Sequence, residues 1–301
     1  MELKHLLGSA LIGDIIYDAP MSKYTSFRTG GRADALVMPK SEKELSRAIL
    51  LARENGVPYC VIGNGSNLLV RDGGVRGIVI RLAEGFSGIQ VEGNTVTARA
   101  GELLSSATNA ALHNGLTGLE FAGGIPGSVG GGMAMNAGAY GGELANVCEG
   151  ARVMDVKTGS TEYIPVSGLE MGYRTSRALR EGNIITEAVF SLAPGDRSAI
   201  KALMDDLNRR RREKQPLAFP SAGSTFKRPE GHFAGALIEQ ANLKGVSVGG
   251  AQVSQKHAGF IINAGGASSK DILELMRLVQ TRVYDMSGVT LEPEVRIIGE
   301  D

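Results

Sequence analysis

The chain has 301 residues, 43% hydrophobic and 21% charged, with 32 basic and 32 acidic side chains and a formal net charge of zero. That length carries two domains or one large one with a full core, and the balanced charge argues against a general nucleic-acid binder. No segment reaches the ~18 uninterrupted apolar residues of a membrane span. Met1–Leu7 mixes acid and base early and lacks a signal-peptide core, so a cytoplasmic protein without membrane insertion is expected.

In chain order, residues 1–18 read as a short helix and connector. Ser41 followed by Glu44 opens a helix through a capping box, with Leu45, Ile49, Leu50 and Ala52 as its apolar face and Gly56 and Pro58 ending it. Tyr59–Ile62 reads as a buried strand that delivers the loop Gly63-Asn64-Gly65-Ser66-Asn67-Leu68-Leu69, and Gly77–Leu82 as another strand in parallel pairing. From about residue 86 the texture changes to short alternating strands at 89–91, 95–98 and 151–156, with a helix within Gly101–Asn114. Strands return at Thr161–Ile164 and Ile184–Phe190. Ala193-Pro194-Gly195-Asp196-Arg197 reads as a boundary before a helix at Ser198–Lys214, a capped helix at Ser268–Tyr284 and a closing strand at Val295–Ile298. The fold class is α+β, divided at 1–85, 86–194 and 195–301.

Glycine, at 42 residues, is about twice its usual ~7% share. Gly123–Gly132 contains six glycines and no charge. Such a run cannot fill a core, and it suits close approach of bare backbone N–H groups to something flat or anionic. The Gly63–Leu69 loop is neither a Walker A nor a GxGxxG turn; it reads as a tight turn or a phosphate cradle. The two loops together suggest a sizeable cofactor carrying phosphate.

Gly172-Tyr173-Arg174-Thr175-Ser176 sets an arginine between an aromatic ring and two hydroxyls, which alone reads as a surface pair. In Ser221–Pro229 a Gly-Ser-Thr turn runs into Phe226, Lys227 and Arg228, gathering a hydroxyl and positive charge; it is not a GxSxG elbow, so a Ser–His hydrolase is not expected. Leu291–Arg296 places Glu292 and Glu294 around Pro293. The run Arg209–Arg212 complements a helix C-terminus, whereas Lys214, beside Gln215-Pro216, is placed to point into a site. His5, His113, His232 and His257 share no ligand spacing, so no metal is expected. Cys60 and Cys148 read as reduced thiols.

Taken in order, Thr25-Ser26-Phe27-Arg28-Thr29-Gly30-Gly31, Gly63-Asn64-Gly65-Ser66-Asn67-Leu68-Leu69, Gly123–Gly130, Asn136-Ala137-Gly138-Ala139-Tyr140-Gly141, Gly172-Tyr173-Arg174, Gly223-Ser224-Thr225-Phe226-Lys227 and Leu291–Arg296 closely resemble the UDP-N-acetylenolpyruvoylglucosamine reductase family from about residue 20 to 299. The resemblance implies two α+β subdomains of the vanillyl-alcohol-oxidase (PCMH) type that hold FAD, plus a C-terminal α+β substrate domain. It implies non-covalent FAD; no histidine lies within either glycine loop to tether a flavin. It also implies NADPH as hydride donor and a small-molecule substrate, UDP-N-acetylglucosamine enolpyruvate, reduced to UDP-N-acetylmuramate in peptidoglycan precursor synthesis.

By that resemblance Gly63, Asn64, Gly65, Ser66, Asn67, Leu68, Gly123, Gly127, Ser128, Gly131, Asn136, Gly138 and Arg174 bind the cofactor. Arg174, Ser224 and Glu294 are catalytic: Arg174 and Glu294 stabilise a developing enolate, and Ser224 protonates C2. Tyr140, Lys214, Lys227 and Arg228 bind substrate. The chain passes from Phe190 directly through Pro194-Gly195 into the next helix, without the insertion of the family's longer form, and so resembles the shorter, second type. Arg228 stands where the longer form has asparagine. Two rivals are an FAD-dependent alcohol or sugar oxidase, which needs a base for alcohol deprotonation, and a flavin-binding module without turnover. The C-terminal motifs fit the oxidase badly.

Overall fold

The computed structural model describes residues 3–8 and 10–301; Met1 and Glu2, the start of the expected N-terminal helix, lie outside them. In chain order the elements are α1 (Leu3–Gly8), β1 (Asp14–Pro20), β2 (Arg32–Met38), α2 (Glu42–Glu54), β3 (Tyr59–Ile62), β4 (Leu68–Val70) and β5 (Val75–Arg81). Then come β6 (Ile89–Glu92), β7 (Thr95–Arg99), α3 (Leu104–His113), β8 (Leu116–Thr117), α4 (Val129–Ala134), β9 (Gly138–Ala139), β10 (Gly142–Glu143) and β11 (Cys148–Met154). These are followed by β12 (Thr161–Pro165), α5 (Val166–Leu169), α6 (Arg177–Glu181), β13 (Ile184–Ser191), β14 (Ala193–Pro194) and α7 (Arg197–Lys214). The chain ends with α8 (Ala234–Gln240), β15 (Ser247–Val248), β16 (Ala251–Val253), β17 (Ile261–Asn263), α9 (Ser269–Ser287) and β18 (Arg296–Ile298).

The chain divides into two compact units, each assembled from three segments. The larger comprises 1–17, 35–64 and 77–210, and the smaller 18–34, 65–76 and 211–301. The sequence instead suggested cuts at 85/86 and 194/195. The boundary reading at 193–197 fails to separate units because β14 pairs with β8, Ala193 opposite Thr117, which ties that turn to the larger unit.

Within the larger unit, β3 and β5 pair in parallel, Tyr59 opposite Ile78 through Ile62 opposite Arg81, as the sequence suggested. They belong to a sheet ordered β1-β2-β5-β3. Residues Leu45, Ile49, Ile78, Ile80 and Phe86 form its core. Ser41 caps α2 by accepting the Glu44 N–H at 3.3 Å. Glu44 does not complete the capping box; its carboxylate takes the Lys40 N–H instead, at 2.7 Å. A second sheet, β12-β11-β13-β7-β6, is antiparallel throughout. In β7, Val96 and Ala98 are buried while Thr95, Thr97 and Arg99 are half-buried, the period-two pattern of a sheet covered on one face. Val96, Ala98, Leu104, Ala151, Ala188 and Phe190 fill its core.

In the smaller unit, α9 buries Ile272, Leu275, Met276, Val279 and Val283, one helical face, in a cluster with Phe27, Leu69, Phe226, Val253 and Ile261. β15-β16-β17 form one sheet, and β4 pairs in parallel with β18, Leu68 opposite Arg296. The N-terminus of α9 is satisfied twice. Asp72 accepts the N–H groups of Ser269 at 2.8 Å and Lys270 at 3.0 Å. Ser268 and Asp271 form the reciprocal capping box that the sequence pattern indicated.

The Asp271 carboxyl is held below its ordinary value, chiefly by accepting the Ser268 backbone N–H, with the Gly250 N–H adding to it. A depressed folded-state value means the stabilisation is present above the unfolded value of 3.8 and is lost as pH falls through the lower folded one. Asp271→Ala is therefore expected to lower the thermal midpoint near about pH 7, with the gap to the parent closing toward about pH 3 and below. Melting curves across that range check it, and a gap independent of pH refutes it.

Candidate active site

In the larger unit β3 delivers Gly63 and Asn64 beside the loop that precedes α4. Asn64 Nδ2 donates to the Pro126 carbonyl at 2.8 Å and so joins the two glycine loops. A Cβ added to Gly63 would lie 2.1 Å from Ser128 Oγ, and one on Gly131 3.3 Å from the same atom. Ser128 occupies the N-cap position of α4, yet its side chain caps nothing. The hydroxyl is buried and has no hydrogen-bond partner. An unpaired buried polar group costs roughly 1–3 kcal/mol. An orphaned hydroxyl flanked by two bare glycines fits a bound group that hydrogen-bonds there, and the phosphate-bearing cofactor expected from the sequence is such a group.

The other glycines serve different purposes. A Cβ on Gly130 would meet Ala100 Cβ at 2.7 Å, and one on Gly132 would meet Leu104 Cδ1 at 2.9 Å. These two let α4 lie close to its neighbours, α4 being further tied by Gly130 N–H to the Ala100 carbonyl at 2.9 Å. Gly127 is buried, and its carbonyl accepts the Leu104 N–H at 3.1 Å. The Gly123 N–H donates to the Glu120 carbonyl at 3.3 Å. Gly138 permits the β9–β10 hairpin, where a Cβ would sit 2.7 Å from the Gly142 carbonyl oxygen. Tyr140 and Gly141 form the tip of that hairpin, both at positive φ, +54° and +86°, and Tyr140 is exposed.

Arg174 sits in a tight turn closed by reciprocal bonds between Gly172 and Thr175, at 3.0 and 3.2 Å. Its φ is +56°, a conformation costing of order 1–3 kcal/mol in a non-glycine residue and concentrated at functional sites. The guanidinium stands 5.1 Å from the centre of the Tyr173 ring. Two side chains hold the turn in place. Buried Asn136 donates to the Gly172 carbonyl at 3.2 Å and accepts the Ala145 N–H at 2.9 Å. Ser176 donates to the Ala134 carbonyl at 2.8 Å while capping α6. The Asn136 side chain is thus engaged with backbone of its own unit, and its place is behind Arg174.

In the smaller unit Ser224 and Glu294, 70 positions apart in number, lie on hydrogen-bonded segments. The Glu294 N–H donates to the Thr225 carbonyl at 2.8 Å, the Lys227 N–H to the Glu292 carbonyl at 2.8 Å, and Phe226 bridges Pro293. The loop Gly65–Leu68 joins them. Asn67 Nδ2 donates to the Glu294 carbonyl at 3.1 Å, and the Arg296 N–H donates to the Asn67 carbonyl at 3.0 Å. Ser224 is exposed. Lys227 pairs with Glu292 at 3.1 Å. Arg228 lies 4.0 Å from the centre of the Phe233 ring and donates to the His232 carbonyl. Lys214 ends α7.

Gly65 differs from the sequence reading of a bare cradle. It is buried at φ +64°, and a Cβ would lie 2.0 Å from the Tyr24 carbonyl oxygen, so the protein's own backbone requires a glycine there. Sequence reasoning also missed Asn263. Its side chain donates to the Phe27 carbonyl at 3.1 Å and accepts the Gly265 and Ala267 N–H groups, while Thr29 Oγ1 donates to the Ala267 carbonyl at 2.7 Å. These bonds account for the Thr25–Gly31 motif as a structural staple. A lone asparagine in an apolar strand was the available signal.

Among the described residues no helix is long and apolar enough to cross a membrane. The C-terminal domain model of UDP-N-acetylenolpyruvoylglucosamine reductase matches residues 215–298, and an FAD binding domain model matches residues 33–163. A UDP-N-acetylenolpyruvoylglucosamine reductase of Clostridium botulinum strain Hall is 51% identical over 301 residues, spanning 100% of this chain and 97% of the relative. That of Clostridium perfringens strain SM101 is 50% identical over 302 residues, spanning 100% and 99%. The crystal structure of UDP-N-acetylenolpyruvylglucosamine reductase from Thermus caldophilus superposes with a TM-score of 0.82 at 37% identity, covering 95% of this chain and 98% of that one. Matched end to end at such identity, the chain belongs to the UDP-N-acetylenolpyruvoylglucosamine reductase family.

Proposed function

We propose that this chain is a cytoplasmic, NADPH-dependent flavoenzyme that reduces the enolpyruvyl ether of UDP-N-acetylglucosamine to UDP-N-acetylmuramate, in peptidoglycan precursor synthesis. The observation that carries this reading is the full-length identity of 51% to a reductase of that name, on a frame that bonds Thr225, next to Ser224, to Glu294. The reaction adds one hydride and one proton across a carbon–carbon double bond, and NADPH leaves as NADP+. FAD, when bound, supplies the hydride carrier between NADPH and C3 of the enolpyruvyl group.

The protein's own residues would do the rest. Gly63, Asn64, Ser128 and Gly131 in the larger unit, and Ser66 and Asn67 in the smaller, would hold the cofactor. Arg174 would grip the substrate carboxylate with two parallel N–H donors and offset the negative charge that grows there as an enolate. Glu294, when protonated or paired beside Arg174, would stabilise the same enolate. The Ser224 hydroxyl would give its proton to C2 and recover one from solvent. A serine is a weak acid, so this works through positioning and the basicity of the enol carbon. Tyr140, Lys214, Lys227 and Arg228 would contact the carboxylate and diphosphate. The hydrophobic clusters around α2 and β5, around the β7–β13 sheet and around α9 draw most of their residues from 1–85, 86–194 and 195–301 in turn, which favours two FAD-holding subdomains and a substrate domain, although Ala100, Met154 and Ile184 join the first cluster and Phe27 and Leu69 the last across those cuts.

Ser128→Ala separates binding from folding. It removes a hydroxyl that has no partner within the protein, so the cofactor-free form should melt at the same temperature or higher. The FAD dissociation constant should rise roughly 10-fold, as for a lost hydrogen bond to a charged group. Unchanged affinity in a fluorescence titration would remove Ser128 from the cradle.

Arg174→Lys replaces a planar fork with a point charge. Turnover should fall more than ~10-fold, or ~1.4 kcal/mol of transition-state stabilisation; parental steady-state kinetics would return Arg174 to a surface role.

Ser224→Ala tests the reaction itself. Stopped-flow absorbance should show flavin reduction by NADPH near the parental rate, and reoxidation by the enolpyruvyl substrate slowed at least ~10²-fold. Equal slowing of both halves would mean that Ser224 shapes the flavin site and donates no proton.

A further inference from the structure

Thr225 is 1% exposed, and each of its three polar atoms is hydrogen-bonded. Its N–H donates to the Gly259 carbonyl at 2.9 Å, its carbonyl accepts the Glu294 N–H at 2.8 Å, and its hydroxyl accepts the Ile261 N–H at 3.0 Å. The corner that supplies two of these partners is itself closed. The Gly259 N–H donates to His257 Nδ1 at 3.1 Å, the Phe260 N–H to the His257 carbonyl at 3.0 Å, and Ser254 Oγ accepts the Lys256 and His257 N–H groups.

Ser224 contrasts with its neighbour. It is exposed, and its hydroxyl engages no other described residue. On its N-terminal side stands Gly223, at φ +78° with nothing within 4 Å of a would-be Cβ. A would-be Cβ on Gly223 meets nothing, whereas Thr225 is bonded through every polar atom, so Thr225 is the better fixed neighbour of Ser224. The carbonyl of Thr225 also sets the register between Ser224 and Glu294 through its bond to the Glu294 N–H.

We propose that Thr225 is a positioning residue. Its hydroxyl, pinned by the Ile261 N–H, fixes the angle at which Ser224 meets the substrate carbon and the offset of Ser224 from Glu294. The role rests on the reading of Ser224 as the proton donor. Misplacement of a reacting group by about 1 Å costs as much as 10²-fold in rate, so a lost clamp one residue away is expressed in chemistry before it is expressed in binding.

The experiment compares Thr225→Val, which keeps the shape and removes the acceptor, with Thr225→Ser, which keeps the acceptor, in the full-length flavin-loaded protein. Thr225→Val should slow reoxidation by the enolpyruvyl substrate on the order of 10-fold or more. Flavin reduction by NADPH, flavin content, and substrate affinity from flavin difference spectra should stay within about 2-fold. Thr225→Ser should restore most of the lost rate. In a Ser224→Ala background Thr225→Val should add no further slowing, because it acts through the group already removed. If Thr225→Val does not hold flavin, Thr225→Ala, which admits a water to the Ile261 N–H, is read by the same criteria.

The outcomes separate two failures. If Ser224→Ala alone leaves reoxidation fast, the proton-donor assignment falls, and the positioning role with it. If Ser224→Ala is slow, the positioning role is overturned by any of four results: a parental rate in Thr225→Val, parallel slowing of both half-reactions, no rescue by serine, or additive slowing in the double variant.

Discussion

Leu68–Val70 and Arg296–Ile298 hydrogen-bond in parallel, and the segments carrying Ser224 and Glu294 hang on that pairing. It places Asn67 where its side chain reaches the Glu294 carbonyl and its own carbonyl takes the Arg296 N–H. Glu294 then bonds to Thr225, and Thr225 to the Gly259–Ile261 corner. Four segments remote in sequence thus share one ladder, and Ser224 rides on it. A buried N–H left without an acceptor costs more than a typical bond gains, so an empty rung in this ladder would be expensive. The Asp72 cap on α9 extends the same logic, since it anchors the turn after β4 to the longest helix of the unit.

Six glycines around the candidate site sort by two physical causes. Gly65, Gly130, Gly132 and Gly138 stand where a backbone carbonyl or a packed apolar side chain would lie within 3 Å of a Cβ. They are demanded by backbone approach and helix packing whether or not anything is bound. Gly63 and Gly131 instead flank a buried hydroxyl with no partner. Only the second pair fits the ligand-facing role proposed for it. One flat reading of every glycine as cradle merges a folding requirement with a binding one.

Two candidate site residues of the larger unit carry unusual backbone angles. Arg174 and Tyr140 both adopt positive φ without being glycine, each at the tip of a two-residue turn. Each is sustained by hydrogen bonds from the turn's own flanks and, for Arg174, by Asn136 and Ser176 behind it. The backbone from which the Arg174 side chain departs is thereby held in place.

Local patterns in the sequence were enough for the elements whose signals are local. The α2 and α9 caps, the period-two strands near residues 95–99 and 184–190, and the parallel pairing of Tyr59–Ile62 with the following strand were legible because propensity, capping and periodicity act within a few residues. The ordered motifs were legible because glycine, hydroxyl and charge in short spacings report backbone demands directly. Other features came only from the tertiary structure. Strands β1 and β2, helix α8 and the β15–β17 sheet carry weak local signals and owe their form to partners elsewhere in the chain. Four of the five unit boundaries fall inside β1, β2, β5 and α7, and the fifth in the loop after β3, because compact units follow contacts and not chain order. The sorting of Gly63 from Gly65, and the clamp on Thr225, depend on which carbonyl or hydroxyl stands opposite, at 2.0 to 3.0 Å. Distances of that kind are created by folding itself, when hydrogen bonds close between residues that the sequence keeps far apart.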